Sequence, residues 1–212
     1  MELLKHFVDF ILHIDRHLFD IVREYDTWTY AILFVIVFCE TGLVVTPLLP
    51  GDSLLFAAGT IASGGGLDMA LLMPVLFAAV FCGDNVNYFA GKITGPAVFE
   101  KKYRLLKKEY LEKTQKFYEK HGGKTVVIAR FIPIIRTFAP FVAGVGSMKY
   151  RRFIGFSMAG SAAWILIFTG AGYFFGQIDY VRSHFSMVTI GIILVSVLPL
   201  AAGLARQKLK KT

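Results

Sequence analysis

The first 26 residues alternate apolar and polar positions with helical periodicity. Apolar side chains recur every three or four residues, at Leu4, Phe7, Ile11, Ile14 and Leu18. This spacing predicts an amphipathic helix over residues 1–26, with the charged side chains on its other face. Because the segment has no continuous apolar run, we expect it to lie in a membrane interface, and we expect it not to be a signal peptide.

Two apolar segments, residues 27–63 and 125–147, are interrupted by proline and glycine. The first begins with a run of only 12 apolar residues, Trp28 to Cys39, whereas a span needs ~20. Proline and glycine end helices, so each segment is predicted to enter the bilayer, break and return as a re-entrant hairpin. The residues expected at the breaks are Pro47, Pro50 and Gly51 in the first hairpin and Pro133, Pro140 and Gly144 in the second.

Three further apolar segments, residues 67–91, 153–176 and 186–205, are long enough to cross a bilayer. Residues 92–124 differ, because they carry ten Lys and Arg against four Glu while apolar side chains keep a helical stripe. This pattern predicts a basic amphipathic segment. Positive charge marks the cytoplasmic side of a membrane protein, so we expect this segment and the basic C-terminus to be cytoplasmic.

Composition supports an integral membrane protein. The chain is 55% hydrophobic, with a mean hydropathy of +0.58, which is too apolar for an ordinary soluble domain. Its formal net charge of +8 would also suit a nucleic-acid-binding protein. The basic residues lie beside apolar segments, however, so topology and anionic lipid explain them better, and we predict no nucleic-acid partner.

The chain contains an internal repeat. The motifs "YFAGKI" (88–93) and "YFFGQI" (173–178) lie 85 residues apart, and each ends a predicted spanning helix. The charge distribution gives the two halves opposite orientations, and inverted repeats with broken helices are typical of transporters. The predicted fold is an all-α polytopic membrane protein. It comprises the interfacial helix (1–26) and a transport domain (27–212) with two re-entrant hairpins, each followed by a spanning helix, and a C-terminal spanning helix.

Four charged residues interrupt the predicted hairpins. Glu40 and Asp52 belong to the first, and Arg130 and Arg136 to the second. An isolated charge in the bilayer core costs roughly 2.5–3.5 kcal/mol on insertion scales, so we expect the acids and arginines to meet and pair near the midplane. Two other interpretations stay open: a salt-bridge cluster that only locks the hairpins together, and an Arg136 side chain that reaches the cytoplasmic interface.

A further polar group, Asp84, Asn85 and Asn87, lies within the spanning segment 67–91. It serves either hydrogen bonding between helices or the transport pathway. The chain has no His or Cys spacing typical of a metal site and no nucleophile–base set. We therefore predict no metal, no cofactor and no enzymatic reaction.

The segments "ETGLVVTPLLPGD" (40–52) and "RFIPIIRTFAPFVAG" (130–144) resemble those of the DedA family of bacterial inner-membrane proteins, in the SNARE-associated or VTT-domain superfamily. The resemblance extends over nearly the whole chain. It implies a fold shared with eukaryotic autophagy-linked lipid scramblases and a location in the inner membrane. The family's essential acids correspond to Glu40 and Asp52, and its essential arginines to Arg130 and Arg136.

The resemblance implies transport of lipid across the membrane. Family members are implicated in recycling undecaprenyl phosphate or in moving phospholipid. Some are linked to proton-motive force, cell division, and drug and alkaline tolerance. The expected partners are therefore membrane lipids, above all polyprenyl phosphate or anionic phospholipid, and protons, with or without assembly into an oligomer.

The residues themselves favour a lipid phosphate, because arginine offers a planar fork of donors to phosphate oxygens. Two alternatives remain. A proton-coupled cation or drug transporter would use the carboxylates and tolerate changes to the arginines. A structural membrane protein would tolerate apolar replacement of all four charges.

Overall fold

The computed structural model describes residues 22, 24–25, 27–43, 51–95, 108–146, 148–185, 187–188 and 191–192. Within them the chain is helical and contains no strand. The helices are α1 (Trp28–Gly42), α2 (Gly51–Ser63), α3 (Met69–Thr94), α4 (Lys108–His121), α5 (Thr125–Ala129), α6 (Pro133–Val145), α7 (Tyr150–Phe175) and α8 (Asp179–Ser183), with a 3₁₀ turn at Gly122–Lys124.

Two helices, α3 and α7, are long and apolar enough to cross a membrane. They coincide with two of the three predicted spanning segments. Most of the predicted N-terminal helix and of the third spanning segment lies outside the described residues, as do Pro47 and Pro50. The all-helical membrane architecture is therefore confirmed, whereas the re-entrant course of the hairpins stays a prediction.

The chain divides into a smaller unit (1–27, 50–69 and 167–212) and a larger unit (28–49 and 70–166). In the smaller unit, α2 packs against the C-terminal part of α7. Gly59 approaches the backbone of Thr169 and Tyr173 so closely that a Cβ atom would lie 3.0 Å from the Tyr173 nitrogen. Thr60 Oγ1 donates to the Gly172 carbonyl over 3.2 Å. Small residues let these two backbones touch, as in other membrane helix pairs.

The larger unit contains a similar contact between α6 and the C-terminal part of α3. Gly144 lies on the Tyr88 carbonyl and would place a Cβ atom 2.8 Å from the Lys92 nitrogen. Gly91 in turn lies against the Phe141 carbonyl. The Tyr88 ring stacks on Phe153 with centroids 4.4 Å apart, and its hydroxyl donates to the Met148 carbonyl. These contacts fix α6 on the face of α3 that carries the polar group.

Helix α6 explains both what the second break is and what it is not. The chain breaks over Arg130–Ile132, where Ile132 is extended and Pro133 occupies the first helical position, a place that suits proline because its missing N–H has no partner there. The prediction that Pro140 and Gly144 also break the backbone is wrong, because both lie inside α6. One lost helical hydrogen bond at Pro140 is tolerated in a closely packed membrane helix, and Gly144 serves the contact with α3.

Helix α4 carries most of the described part of the predicted basic segment. Its Tyr118 hydroxyl donates to the Ala139 carbonyl of α6 over 2.9 Å. Burial, and secondarily the charge of Asp84, raise the pKa of Tyr118 above its ordinary value. The phenol therefore stays protonated and joins α4 to α6 as a donor.

Candidate functional site

Glu40 and Arg136 form a buried ion pair in the larger unit. Glu40 lies in the last turn of α1 and is 3% exposed, and Arg136 lies in the first turn of α6 and is 8% exposed. The Arg136 Nη2 atom donates to Glu40 Oε1. This confirms the prediction that a carboxylate of the first broken segment lies within salt-bridge range of an arginine of the second. It also argues against an Arg136 side chain that reaches the interface.

The Arg136 guanidinium has an aromatic neighbour as well as a carboxylate. Its central carbon lies 5.0 Å from the centroid of the Trp164 ring of α7, and this ring is fully buried. A guanidinium over an indole face gains a cation–π attraction, which is strongest where water is excluded. The ring and the carboxylate together fix the position of the charged group.

Arg130 forms a second ion pair, with Asp84 of α3. Arg130 is 3% exposed and Asp84 is 1% exposed, and Nη2 of Arg130 donates to Asp84 Oδ2. Two serines of α7 complete the cluster. Ser157 donates to the same carboxylate oxygen, and Ser161 accepts from Arg130 over 2.8 Å. Charge-assisted hydrogen bonds of this kind are the strong ones in protein interiors.

Gly160 allows Arg130 to reach this position. A Cβ atom on Gly160 would lie 3.1 Å from the Val127 Cα atom and 3.3 Å from the Arg130 Cγ atom. The glycine therefore lets α5 approach α7, and the arginine that follows α5 extends along the serine face of α7. The two arginines thus have separate carboxylate partners, which the sequence pattern did not reveal.

The remaining residues of the predicted site differ in their surroundings. Asp52 is buried at the second position of α2, which begins at Gly51 in the smaller unit; its pairing with an arginine stays a prediction. Asn85 donates to the Phe81 carbonyl of its own helix over 2.7 Å and accepts from Tyr150. Asn87 is fully buried and donates to the carbonyls of Thr41 and Thr137. Asp84 and Asn87 therefore contact the paired segments, whereas the bonds of Asn85 are local.

Two cavities open in the larger unit. An apolar cleft of about 290 Å³ between α3 and α7 is lined by Met73, Pro74, Phe77, Ala162, Ile165 and Leu166. A mixed pocket of about 240 Å³ lies beside α4, with Tyr118, Glu119, Met148 and Arg152 among its lining residues. The first suits a hydrocarbon chain, and the second offers one guanidinium to an anionic group.

Comparison with known proteins decides the family. The VTT domain model matches residues 49–174. Protein DedA of Escherichia coli (strain K12) is 51% identical over 211 residues, which cover 98% of this chain and 96% of that protein. This chain is a DedA-family membrane protein.

More distant members also match the DedA-family chain. An uncharacterized membrane protein of Mycobacterium leprae is 42% identical over 166 residues, covering 78% of this chain and 74% of that protein. The inner membrane protein YghB of Escherichia coli (strain K12) is 29% identical over 197 residues, covering 92% of this chain and 87% of that protein. No solved structure matches the chain.

The structure adds three site residues of the DedA-family protein that sequence reasoning missed: Ser157, Ser161 and Trp164. They lie on α7 at spacings of four and three residues, so they share one helical face. Two small hydroxyl residues and a tryptophan on one face of an apolar helix are a weak signal, because the same pattern suits plain helix packing. Only their contacts with Arg130, Asp84 and Arg136 give that face a role.

Proposed function

We propose that this DedA-family protein carries a lipid phosphate, such as undecaprenyl phosphate, across the bacterial inner membrane in exchange with proton movement. One observation carries the proposal: Arg130 and Arg136 are both buried in an apolar protein, and each is held by a carboxylate. Buried ion pairs contribute little net stability, because desolvation offsets their attraction. A ligand of the arginines explains them better than a clamp does.

The surroundings of Arg136 suit a phosphate. The Trp164 ring lies under the guanidinium, and Glu40 accepts from one of its edge nitrogens. A phosphate oxygen can replace the Glu40 oxygen at that edge while the aromatic contact stays in place. Arginine is suited to this exchange, because it stays charged and presents several donors in one plane.

Proton movement follows from the same exchange. When a phosphate takes the place of Glu40 beside Arg136, the carboxylate loses its cation and lies in a low-dielectric region near a second anion. Both effects favour the protonated form. Glu40 therefore binds a proton as the phosphate arrives and releases it as the phosphate leaves. We assign Asp52, the predicted acid of the smaller unit, a parallel role as a proton carrier.

An inverted-repeat transport mechanism has support from contacts inside each unit. Gly59 packs against Tyr173 in the smaller unit, and Gly144 packs against Tyr88 in the larger one. Both members of the second contact are related to the first by the 85-residue offset of the sequence repeat. We propose that the two broken segments are re-entrant hairpins that expose the site to alternate sides, in a multi-pass protein with a cytoplasmic C-terminus.

The lipid tail need not leave the bilayer. Extracting it into water would cost about 0.8 kcal/mol per CH₂ group, so only the head group should enter the protein. The apolar cleft of about 290 Å³ between α3 and α7 suits part of the tail. Arg152, in the pocket beside α4, and the other basic residues of this region attract anionic head groups.

The test is a pair of charge-conserving replacements, Arg136→Lys and Arg151→Lys, in vesicles that contain the purified protein and undecaprenyl phosphate. Lysine keeps the charge but loses the planar fork and its stacking on Trp164. We expect Arg136→Lys to lower transport at least tenfold. Arg151 is exposed and should tolerate the same change. If Arg136→Lys transports as well as the parent, phosphate recognition by the guanidinium is refuted.

A cation or drug transporter makes the opposite prediction. It would keep its activity in Arg136→Lys and lose it when a carboxylate is replaced. Short-chain lipid phosphates should compete with undecaprenyl phosphate in the same vesicles, and inorganic cations should not. Competition by cations alone would favour the alternative.

A further inference from the structure

Asn87 of α3 bonds to the backbone directly beside both members of the Glu40–Arg136 pair. Its Nδ2 atom donates to the Thr41 carbonyl over 3.0 Å and to the Thr137 carbonyl over 2.8 Å. Thr41 follows Glu40 in α1, and Thr137 follows Arg136 in α6. Both N–H groups of one amide therefore join the two helices that carry the ion pair.

The surface of α3 around Asn87 is shaped to receive both helices. Gly83 lies one turn before Asn87, and a Cβ atom there would be 3.0 Å from the Phe38 carbonyl of α1. Gly91 lies one turn after it, against the Phe141 carbonyl of α6. The three residues share one face at intervals of four, so α1 contacts one end of this face, α6 contacts the other, and Asn87 bonds to both.

The amide is poorly explained by packing alone. Asn87 is 0% exposed, and its Oδ1 atom has no hydrogen-bond partner among the residues that the structure describes. The two carbonyl acceptors fix the orientation of the amide, because only the nitrogen can donate. A buried acceptor without a bond is unfavourable, so an apolar residue of similar size would fill the space at lower cost.

We propose that Asn87 is a positioning residue that holds the backbones of Glu40 and Arg136 at a fixed separation while their side chains exchange partners. This inference rests on the proposed function for its purpose, although the clamp itself is independent of the lipid. With the backbones fixed, an incoming phosphate has to displace only the Glu40 side chain. Without the clamp, α1 and α6 separate, and Arg136 loses its alignment with the site that the phosphate enters.

The clamp is tested first by hydrogen–deuterium exchange, on lipid-nanodisc samples of the parent, Asn87→Leu and Thr94→Val. Leucine keeps the volume and removes both donors. Thr94 is the matched control, because its hydroxyl donates only to Ala90 of its own helix in the described structure. We expect at least tenfold faster exchange in segments 37–42 and 133–141 of Asn87→Leu, and parent-like exchange in segment 157–166. Thr94→Val should match the parent throughout.

Two results would overturn the clamp: unchanged exchange in both segments, and a uniform rise over residues 70–166, which would mean general destabilisation. Should Asn87→Leu not fold, Asn87→Ser, which keeps one donor, is measured by the same criteria. Because this measurement needs no lipid, it does not depend on the transport proposal.

The positioning role is tested next by transport kinetics. We expect Asn87→Leu to raise the KM for undecaprenyl phosphate at least tenfold, because misplacing a binding group by ~1 Å can cost about 100-fold. Thr94→Val should keep the parent's KM. If exchange rises locally while KM, kcat and the pH profile of transport stay unchanged, Asn87 is structural only and the positioning role is refuted. If the parent itself moves no lipid phosphate, the proposed function fails while the clamp result stands.

Discussion

Replacing both members of the Arg130–Asp84 pair by apolar residues separates a clamping role from a transport role. The variants are Arg130→Met, Asp84→Leu and their combination. Methionine and leucine approximate the volumes of the side chains that they replace. A pair that only holds helices together can be exchanged for apolar packing, whereas a pair that handles a charged ligand cannot.

The structure sets the expected magnitudes. Asp84 is 1% exposed and Arg130 is 3% exposed, so either single replacement leaves the other charge buried. The remaining Asp84 would keep the Ser157 hydroxyl, and the remaining Arg130 would keep Ser161, but neither serine supplies an opposite charge. Breaking a buried pair in this way costs about 3–5 kcal/mol, whereas replacing both partners is often neutral or stabilising by about 1–4 kcal/mol. The combined variant should therefore be more stable than either single variant.

The free energy of unfolding is measured by denaturant titration of the purified protein in mixed micelles, and transport is measured in vesicles. Lys116→Met is the control for the loss of a positive charge at an exposed position of α4; it should change the stability by less than about 0.5 kcal/mol. We expect the combined variant to fold like the parent and to transport no lipid phosphate.

Two outcomes would refute this reasoning. If Arg130→Met is as stable as the parent, the pair does not exist as a buried ion pair. If the combined variant transports at the parent's rate, the cluster is only structural, and the interpretation as a salt-bridge lock replaces the site.

Three further predictions concern protons, the cargo's entry and helix packing. Glu40→Gln and Asp52→Asn cannot titrate, so transport should lose its dependence on an imposed pH gradient; a parent-like pH response in both would end the coupling scheme. Arg152→Gln should weaken the dependence of transport on anionic lipid in the vesicles, because it removes the charge in the pocket beside α4, and an unchanged lipid dependence would contradict this. Gly144→Ala should destabilise the protein by about 1–3 kcal/mol through overpacking, whereas Gly155→Ala, which meets nothing within 4 Å, should be neutral or slightly stabilising; equal unfolding midpoints would count against the close contact of α6 with Tyr88.

The sequence determined the features that depend on local pattern. Runs of apolar residues located α3 and α7, because crossing a bilayer requires a length that composition alone reveals. Proline and glycine located the interruptions at Gly51 and Pro133, because their backbone restrictions act on the nearest residues. The cost of burying a charge in an apolar chain also selected Glu40 and Arg136 as partners before any contact was visible.

Only the tertiary structure decided which groups meet. The pairing of Arg130 with Asp84, the serines of α7 and the double bond from Asn87 join residues 31 to 73 positions apart, and no periodicity relates them. The structure also showed that α6 continues through Pro140 and Gly144, since packing against α3 outweighs a weak local preference. Local rules state what each residue tolerates, but the partner of a buried charge depends on how the helices pack, and that is a property of the whole chain.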